Sequence, residues 1–423
     1  MNNNLDQLYN RVSRRLMPFL FLCFVAAYLD RVNVGFAKLQ MQAELQFSDA
    51  VYGVGAGIFF IGYFLFEVPS NLLMTRAGAR IWIARIMISW GVISSALMFT
   101  TSAASFYVLR FLLGVAEAGF FPGIILYLTY WYPAQRRARM VAVFMSGVAV
   151  AGVVGGPLSG WIMKACAGLN GWSGWQWLFL LEGLPSVLLG VWTLFYLDDG
   201  IRAARWLSED DKQVLECELA GERSQQQHLP LARLFGSAKV WLLALVYFLC
   251  VMGLYGVSFW LPQLIKNSGV TDVFDIGLLS AVPYGVAAVT MVLAARHSDR
   301  SGERRWHTAI AALAGALGLV AATVYSDNTV IALAALSVAT AGILSTFPIF
   351  WSLPTAMLGG AAAAAGIAMI NSLGNLAGFA APYLVGAIRD ATGSTASGIY
   401  LIAASLAAGA LLVVAAVRRL PGT

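Results

Sequence analysis

Arg110 and Glu117 stand seven residues apart in FYVLRFLLGVAEAGFFPG (Phe106–Gly123), inside a segment long and apolar enough to cross a bilayer. An ionisable side chain at mid-membrane depth costs roughly 2.5–3.5 kcal/mol on insertion scales, so such groups turn to a protein interior or a wet cavity. Seven residues make two helical turns, which puts both side chains on one face with Gly114 between them. That face would present a cation, a gap and a carboxyl group. Such an arrangement suits holding an anion and moving a proton. A second charged pair, Asp30 and Arg31, lies in Tyr28-Leu-Asp30-Arg31-Val-Asn33 near the end of the first apolar segment. Tyr28 and Arg31 share a face at i,i+3, and Asp30 points about 100° away. The structural alternative is that Asp30–Arg31 and Arg110–Glu117 are ion pairs fixing helix packing.

The elements that position these groups follow from composition. Of 423 residues, 59% are hydrophobic and only 11% charged, against about 25% charged in soluble domains. At about 20 residues per span, the chain accommodates twelve helices. The expected fold is an all-α membrane protein of two pseudo-symmetric six-helix bundles: residues 1–197, a cytoplasmic linker 198–239, and residues 240–423. A repeat supports the halves: Arg76-Ala-Gly78-Ala-Arg80 recurs as Arg300-Ser-Gly302-Glu-Arg304, as in inverted or parallel transporter repeats.

The net charge of +6 does not point to nucleic acid. With these spans, 21 of the 27 Lys and Arg fall on one side. The exceptions are Lys38, Lys164, Lys266 and Arg389 on the other, and the embedded Arg31 and Arg110. This positive-inside bias places both termini in the cytoplasm. The cysteines, Cys23, Cys166, Cys217 and Cys250, show neither metal spacing nor a disulfide framework. No cleavable leader is read at the N-terminus.

Along the chain, the first segment runs about Leu16–Ala37 and the second about Val51–Met74. The second opens on Gly53, Gly55 and Gly57, where small residues let helices approach. Its Tyr63 and Glu67 share a face at i,i+4. Tyr63 reads equally as ligand contact or packing, and Glu67 as a scaffold partner for a basic loop. The third runs about Ile81–Thr100. Gly147 to Gly160 gives the fifth a small-residue face, read as tight packing between the halves. The sixth, about Trp175–Leu197, carries Glu182, read as structural. The linker holds acids and bases at helical spacing, so a surface helix is expected there, with His228 solvated. The second half offers spans at about Val240–Leu264, Phe274–Ala295, Thr308–Tyr325, Val330–Trp351, Ala361–Ile388 and Gly398–Val417. None has a charge in its middle. Its polar candidates are Tyr247, Tyr255, Trp260, Tyr284, Ser352, Asn371 and Asn375, the last two sharing a face. In lipid their amides require partners, from neighbouring helices or a substrate.

Two six-helix halves with basic turns after the second and eighth helices resemble the major facilitator superfamily, although Thr75 stands where an Asp is common. YLDRVNVGFA (Tyr28–Ala37), RFLLGVAEAGFFPG (Arg110–Gly123), YWYPAQRRAR (Tyr130–Arg139), FWLP (Phe259–Pro262) and INSLGNLAGFAAPYLVG (Ile370–Gly386) resemble its anion:cation symporter family, which includes bacterial tartrate, phthalate, hexuronate and galactonate permeases. The resemblance implies proton-coupled uptake of a small organic anion across a bacterial inner membrane by alternating access. Arg31 and Arg110 would bind the substrate carboxylate, Asp30 and Glu117 would carry protons, and Tyr28, Tyr63, Ser352 and Asn375 would complete the site, with Asn371 beside them. The expected partners are the anion, protons and the lipid bilayer, with a monomer as the working unit. No cofactor, metal or nucleic acid is expected, and Na⁺ stays open as an alternative coupling ion. A drug/proton antiporter is the rival reading, on the likeness of GVVGGPLSG (Gly152–Gly160) to an exporter motif. An enzyme is disfavoured: there is no Gly-x-Ser-x-Gly, His-Glu-x-x-His or phosphate-binding loop, and the three histidines lie in or beside loops.

Overall fold

A computed structural model describes residues 2–223, 236–357 and 361–416. Among these, all regular structure is helical. The spanning helices are α1 (Asn2–Val32, continued as Val34–Glu44), α2 (Asp49–Ala77), α3 (Ala79–Ala96), α4 (Ala103–Glu117, then Phe120–Thr129), α5 (Ala134–Met145, then Gly147–Ala165) and α6 (Gly174–Tyr196). After the linker come α7 (Ala238–Asn267), α8 (Val273–Ser301), α9 (Arg305–Val324), α10 (Thr329–Phe350, then Ser352–Met357), α11 (Ala361–Asn375, then Ala377–Thr392) and α12 (Thr395–Ala416). Eleven of these, counting an interrupted helix with its continuation, are apolar and long enough to span a bilayer. The exception is α11, whose two parts of 15 and 16 residues meet end to end. The linker contributes the expected surface helix, Glu209–Arg223; His228 lies outside the described residues. Side chains such as Phe195 (82% exposed) and Leu317 (68%) form an outward apolar belt that only lipid solvates well. The chain is a multi-pass membrane protein.

Helix ends have local causes. Ser48 accepts from the Val51 N–H, Ser102 and Ser105 form a reciprocal capping box, and Asp272 and Asn328 cap α8 and α10. These side chains satisfy N–H groups that a helix start leaves unpaired. The repeated basic turn uses a glycine at positive φ both times, Gly78 at 88° and Gly302 at 68°, although the two differ in ψ, 148° against −6°.

The two sets of six helices meet along α2–α11, α5–α8 and α1–α7. The small residues of α5 pack where the sequence placed them. A Cβ on Gly156 would stand 2.5 Å from the Gly277 carbonyl oxygen, and one on Gly160 2.7 Å from that of Val273. With twelve spans, residues 2 and 416 share one end of the molecule, called the near end below. The far end is tied shut. Lys38, read from the sequence as a loop cation, is fully buried there, 2.8 Å from Asp49 and 3.4 Å from the centre of the Trp260 ring. Asp49 also pairs with Arg389 of α11 at 3.0 Å. Asp390 accepts from the first backbone N–H groups of α2, those of Asp49 (3.0 Å) and Ala50 (2.8 Å). Tyr52 donates to the Phe259 carbonyl at 3.0 Å, and Lys164 pairs with Asp272 at 2.6 Å.

Candidate substrate and proton site

Arg31 lies just before the interruption of α1 at Asn33, and Glu117 is the last residue of the first part of α4. There Ala118 turns extended and Gly119 adopts φ +87° before the helix resumes. The Glu117 carboxylate is fully buried and ion-pairs with the Arg31 guanidinium through Oε1 and Nη2. Arg31 Nη1 donates to the Tyr255 hydroxyl of α7 at 3.3 Å. The same guanidinium lies 5.4 Å from the ring centres of Phe59 and Tyr63, within cation–π range. Arg110 approaches Phe59 as well, at 5.2 Å. It donates from Nε to the Gly55 carbonyl and from Nη2 to that of Ala56, both at 3.1 Å. Helical carbonyls have a second lone pair for such bonds.

This corrects the stripe expected on α4. Gly114 leaves no gap for an anion, because a Cβ there would fall 1.9 Å from the Phe59 carbonyl oxygen. The space between Arg110 and Glu117 holds the backbone of α2. Neither within-helix ion pair forms either. Glu117 pairs across to α1, Arg110 goes to α2, and Asp30 turns to α3 and α6. The buried Asp30 carboxylate accepts from Trp90 Nε1 (2.9 Å), Ser94 Oγ (2.8 Å) and Ser186 Oγ (2.5 Å). All three donors are neutral, and the two hydroxyls can turn to accept, so the cradle suits either protonation state.

Tyr63 joins the Arg31 cluster through its ring. Tyr28 is buried elsewhere: its hydroxyl meets Ser258 Oγ at 3.3 Å, and Tyr284 donates to the same oxygen at 3.3 Å, linking α1, α7 and α8. Ser352 donates to the Ile349 carbonyl of its own helix at 2.6 Å. Asn375 is half-buried on α11 without a hydrogen bond among the described residues, and Asn371 stands beside the Glu67 carboxylate. Glu67 meets no basic loop. It is 5% exposed, and its Oε2 accepts from Ser372 Oγ of α11 at 3.0 Å. Glu182 accepts from Ser159 at 2.7 Å, bridging α5 and α6.

Tyr255 and Glu67 are the site residues that sequence reasoning under-weighted. One is a tyrosine among other hydroxyls in a span whose middle has no charge, and the other's partner lies 305 positions away. Their signal was the membrane itself, where a polar atom requires a partner. At the centre, Arg31 Nε, Arg110 Nη1 and Glu117 Oε2 are buried without a hydrogen-bond partner. The site thus holds two cations, a carboxylate bound to one of them, and donor and acceptor atoms still uncommitted. That can bind a carboxylate in competition with Glu117, and exchange a proton at Glu117.

The sequence model of the Major Facilitator Superfamily matches residues 20–382. An Agrobacterium vitis protein named "Putative tartrate transporter" is 48% identical over 100% of this chain and 97% of its own length. A "Quinolone resistance transporter" of Acinetobacter baumannii is 41% identical over 95% and 93%. Among solved structures, the D-xylose-proton symporter superposes with a TM-score of 0.77 over 97% of this chain and 99% of that one, at 17% identity. Fold, membrane helices and sequence agree, and the chain belongs to the Major Facilitator Superfamily, a family of transporters rather than enzymes.

Proposed function

We propose that this transporter takes up a small organic anion together with protons, working as two bundles, residues 1–197 and 240–423, that rock about the linker 198–239. The observation that carries the reading is the buried Arg31–Glu117 pair beside Arg110. With Glu117 ionised, its carboxylate occupies the Arg31 fork. A proton on Glu117 dissolves the pair and frees that fork for a substrate carboxylate, which Arg110 Nη1 also approaches. Arginine suits the task because its planar donors match a carboxylate bidentately. Asp30, cradled by neutral donors, is the second proton carrier. Proton and anion then bind cooperatively, and release of both on the other side resets the cycle. The basic loops support an orientation with both termini in the cytoplasm. The bacterial source of the two close relatives supports an inner-membrane location. The relative named for tartrate supports a hydroxy-dicarboxylate among the candidate anions.

Glu117→Gln tests this in proteoliposomes, because glutamine imitates the protonated carboxyl. The variant is expected to bind anion at least as well as the parent and to exchange labelled for unlabelled substrate. Accumulation driven by a proton gradient is expected to fail, since that requires loading and unloading a proton each cycle. If Arg31–Glu117 is only a structural pair, binding, exchange and accumulation fall together, as loss of a buried charge partner predicts. Undiminished accumulation removes Glu117 from the coupling.

The relative named for quinolone resistance favours one second reading, outward transport of a larger compound in exchange for protons. Everted vesicles loaded with a tartrate or quinolone gradient distinguish the two by direction.

A further inference from the structure

Glu67 occupies a place that the Arg31–Glu117 exchange does not use. The seam between α2 and α11 is closely packed toward the far end: a Cβ on Gly53 would stand 2.4 Å from the Pro382 carbonyl oxygen, and one on Gly57 2.8 Å from that of Phe379. Toward the near end, the last described hydrogen bond across this seam is Ser372 Oγ to Glu67 Oε2. The first part of α11 barely touches α2, whereas the second part lies along it. Glu67 therefore sits where the two helices part.

Its neighbours on α2, α7 and α11 are neutral. Ser372 and Asn371 face it from α11, Tyr247 from α7 and Tyr63 from its own helix. From α1 the facing charge is Arg31, whose guanidinium is already paired with Glu117. Among the described residues Glu67 makes no ion pair. A buried carboxylate without a cation depends on its hydrogen-bond donors, and here those donors belong to the other bundle. A protonated carboxyl has no such dependence.

We propose that Glu67 links proton binding to bundle movement, through its cross-bundle bonds to Ser372 and Asn371. Ionised, it holds α2 and α11 together at this level; protonated, it lets them separate, so that proton uptake and separation favour each other. This rests on the transporter reading but not on the identity of the substrate, and it makes Glu67 a positioning residue that needs no contact with the anion.

The test uses the full chain in lipid nanodiscs without substrate, with Cys23, Cys166, Cys217 and Cys250 replaced by alanine. Spin labels at Thr75→Cys and Ala368→Cys, both exposed positions on the near-end sides of α2 and α11, report the gap by electron–electron distance measurement from pH 5 to 9. The parent is expected to shift between two distance populations with pH. Glu67→Gln is expected to stay in the low-pH population throughout. Ser372→Ala, which removes a donor to the charged form, is expected to move the midpoint upward by about one pH unit and to do nothing further in the Glu67→Gln background. Should Glu67→Gln not fold, Ser372→Ala and Glu67→Asp carry the test. A pH response that survives unchanged in Glu67→Gln, or no response in the parent, overturns the proposal. So does a loss of thermal stability in Ser372→Ala with the midpoint unmoved. Counterflow of labelled tartrate in the same proteins is a separate readout. If the parent moves none while the Glu67-dependent response stands, the substrate reading fails and this one does not.

Discussion

In the proposed cycle Arg110 has two tasks that share one side chain. Nε and Nη2 are tied to the Gly55 and Ala56 carbonyls of α2, and Nη1 is left uncommitted. Lysine keeps the charge but has a single nitrogen, so Arg110→Lys cannot span both carbonyls and an anion. Bonds of this charged kind contribute about 1.5–3 kcal/mol each. Arg110→Lys is therefore expected to lower the melting temperature as well as uptake, and scanning fluorimetry beside an uptake assay checks both. Arg31→Lys is expected to fold nearly normally and lose uptake, because its guanidinium binds Glu117 and Tyr255 rather than the scaffold of α2. Equal loss of stability in the two variants would contradict this division of labour. Gly114→Ala is a purely steric case. The added methyl meets backbone at 1.9 Å, and overpacking of this kind costs about 1–3 kcal/mol or more. A lower melting temperature is expected in binding-competent protein.

At the scale of elements, the site lies among interrupted helices, with Arg31 and Glu117 beside the breaks of α1 and α4. The sequence reads α4 and α11 as continuous spans, and the structure interrupts both. In α4 the break follows Glu117, with Gly119 in a conformation that L side chains rarely adopt. In α11 it falls at Leu376, where the Phe379 N–H bonds the Leu376 carbonyl in a tightened turn. Pro382, which lacks an N–H, follows six residues later. The rocking proposed for the bundles also needs helices that slide without obstruction. A leucine at Gly156, facing the Gly277 carbonyl at 2.5 Å from its Cβ position, would wedge α5 from α8. Gly156→Leu is expected to reach the membrane and bind anion while losing exchange. Retained exchange at the parent rate would show that this close contact is not part of the cycle.

For the whole molecule, the far end holds the bundles together by bonds that an outward-open state must break. Asp390 satisfies two N–H groups at the start of α2 from across the seam. Asp390→Ala removes both bonds, worth about 0.5–1.5 kcal/mol each, and is expected to raise outward opening roughly 5- to 150-fold. Labelling of Phe259→Cys, at a fully buried far-end position, by a membrane-impermeant maleimide should rise accordingly. At the same end, Lys164 and the N-terminal N–H groups of α8 hold Asp272 below its ordinary carboxylate range. A depressed folded value stabilises the fold above the unfolded Asp value of about 3.9 and loses that contribution as pH falls through the folded one. The melting-temperature difference between the parent and Asp272→Asn is therefore expected to be constant above about pH 5 and to vanish on acidification below the folded value. A difference that grows on acidification would contradict the sign.

Composition and segment length were enough to establish the membrane class and the all-helical fold, because lipid leaves a spanning backbone only the helix or the closed barrel, and apolar segments of about 20 residues fit the helix. The insertion cost of a charge likewise marked Asp30, Arg31, Arg110 and Glu117 as special before any contact was known. The small residues of α2 and α5 also read correctly, since close helix approach demands them wherever it occurs. What helical periodicity could not tell was which charge meets which. It put Arg110, Gly114 and Glu117 on one face, but the facing helix decided that Phe59 fills the gap, that Arg110 binds α2 and that Glu117 crosses to Arg31. For the same reason Lys38 looked like a loop cation and Glu67 like a loop scaffold, although their partners are Asp49 and a serine 305 residues away. Periodicity reports the direction of a side chain from its own axis. The identity of the group it meets depends on the packing angle and register of another helix, which only the tertiary structure sets.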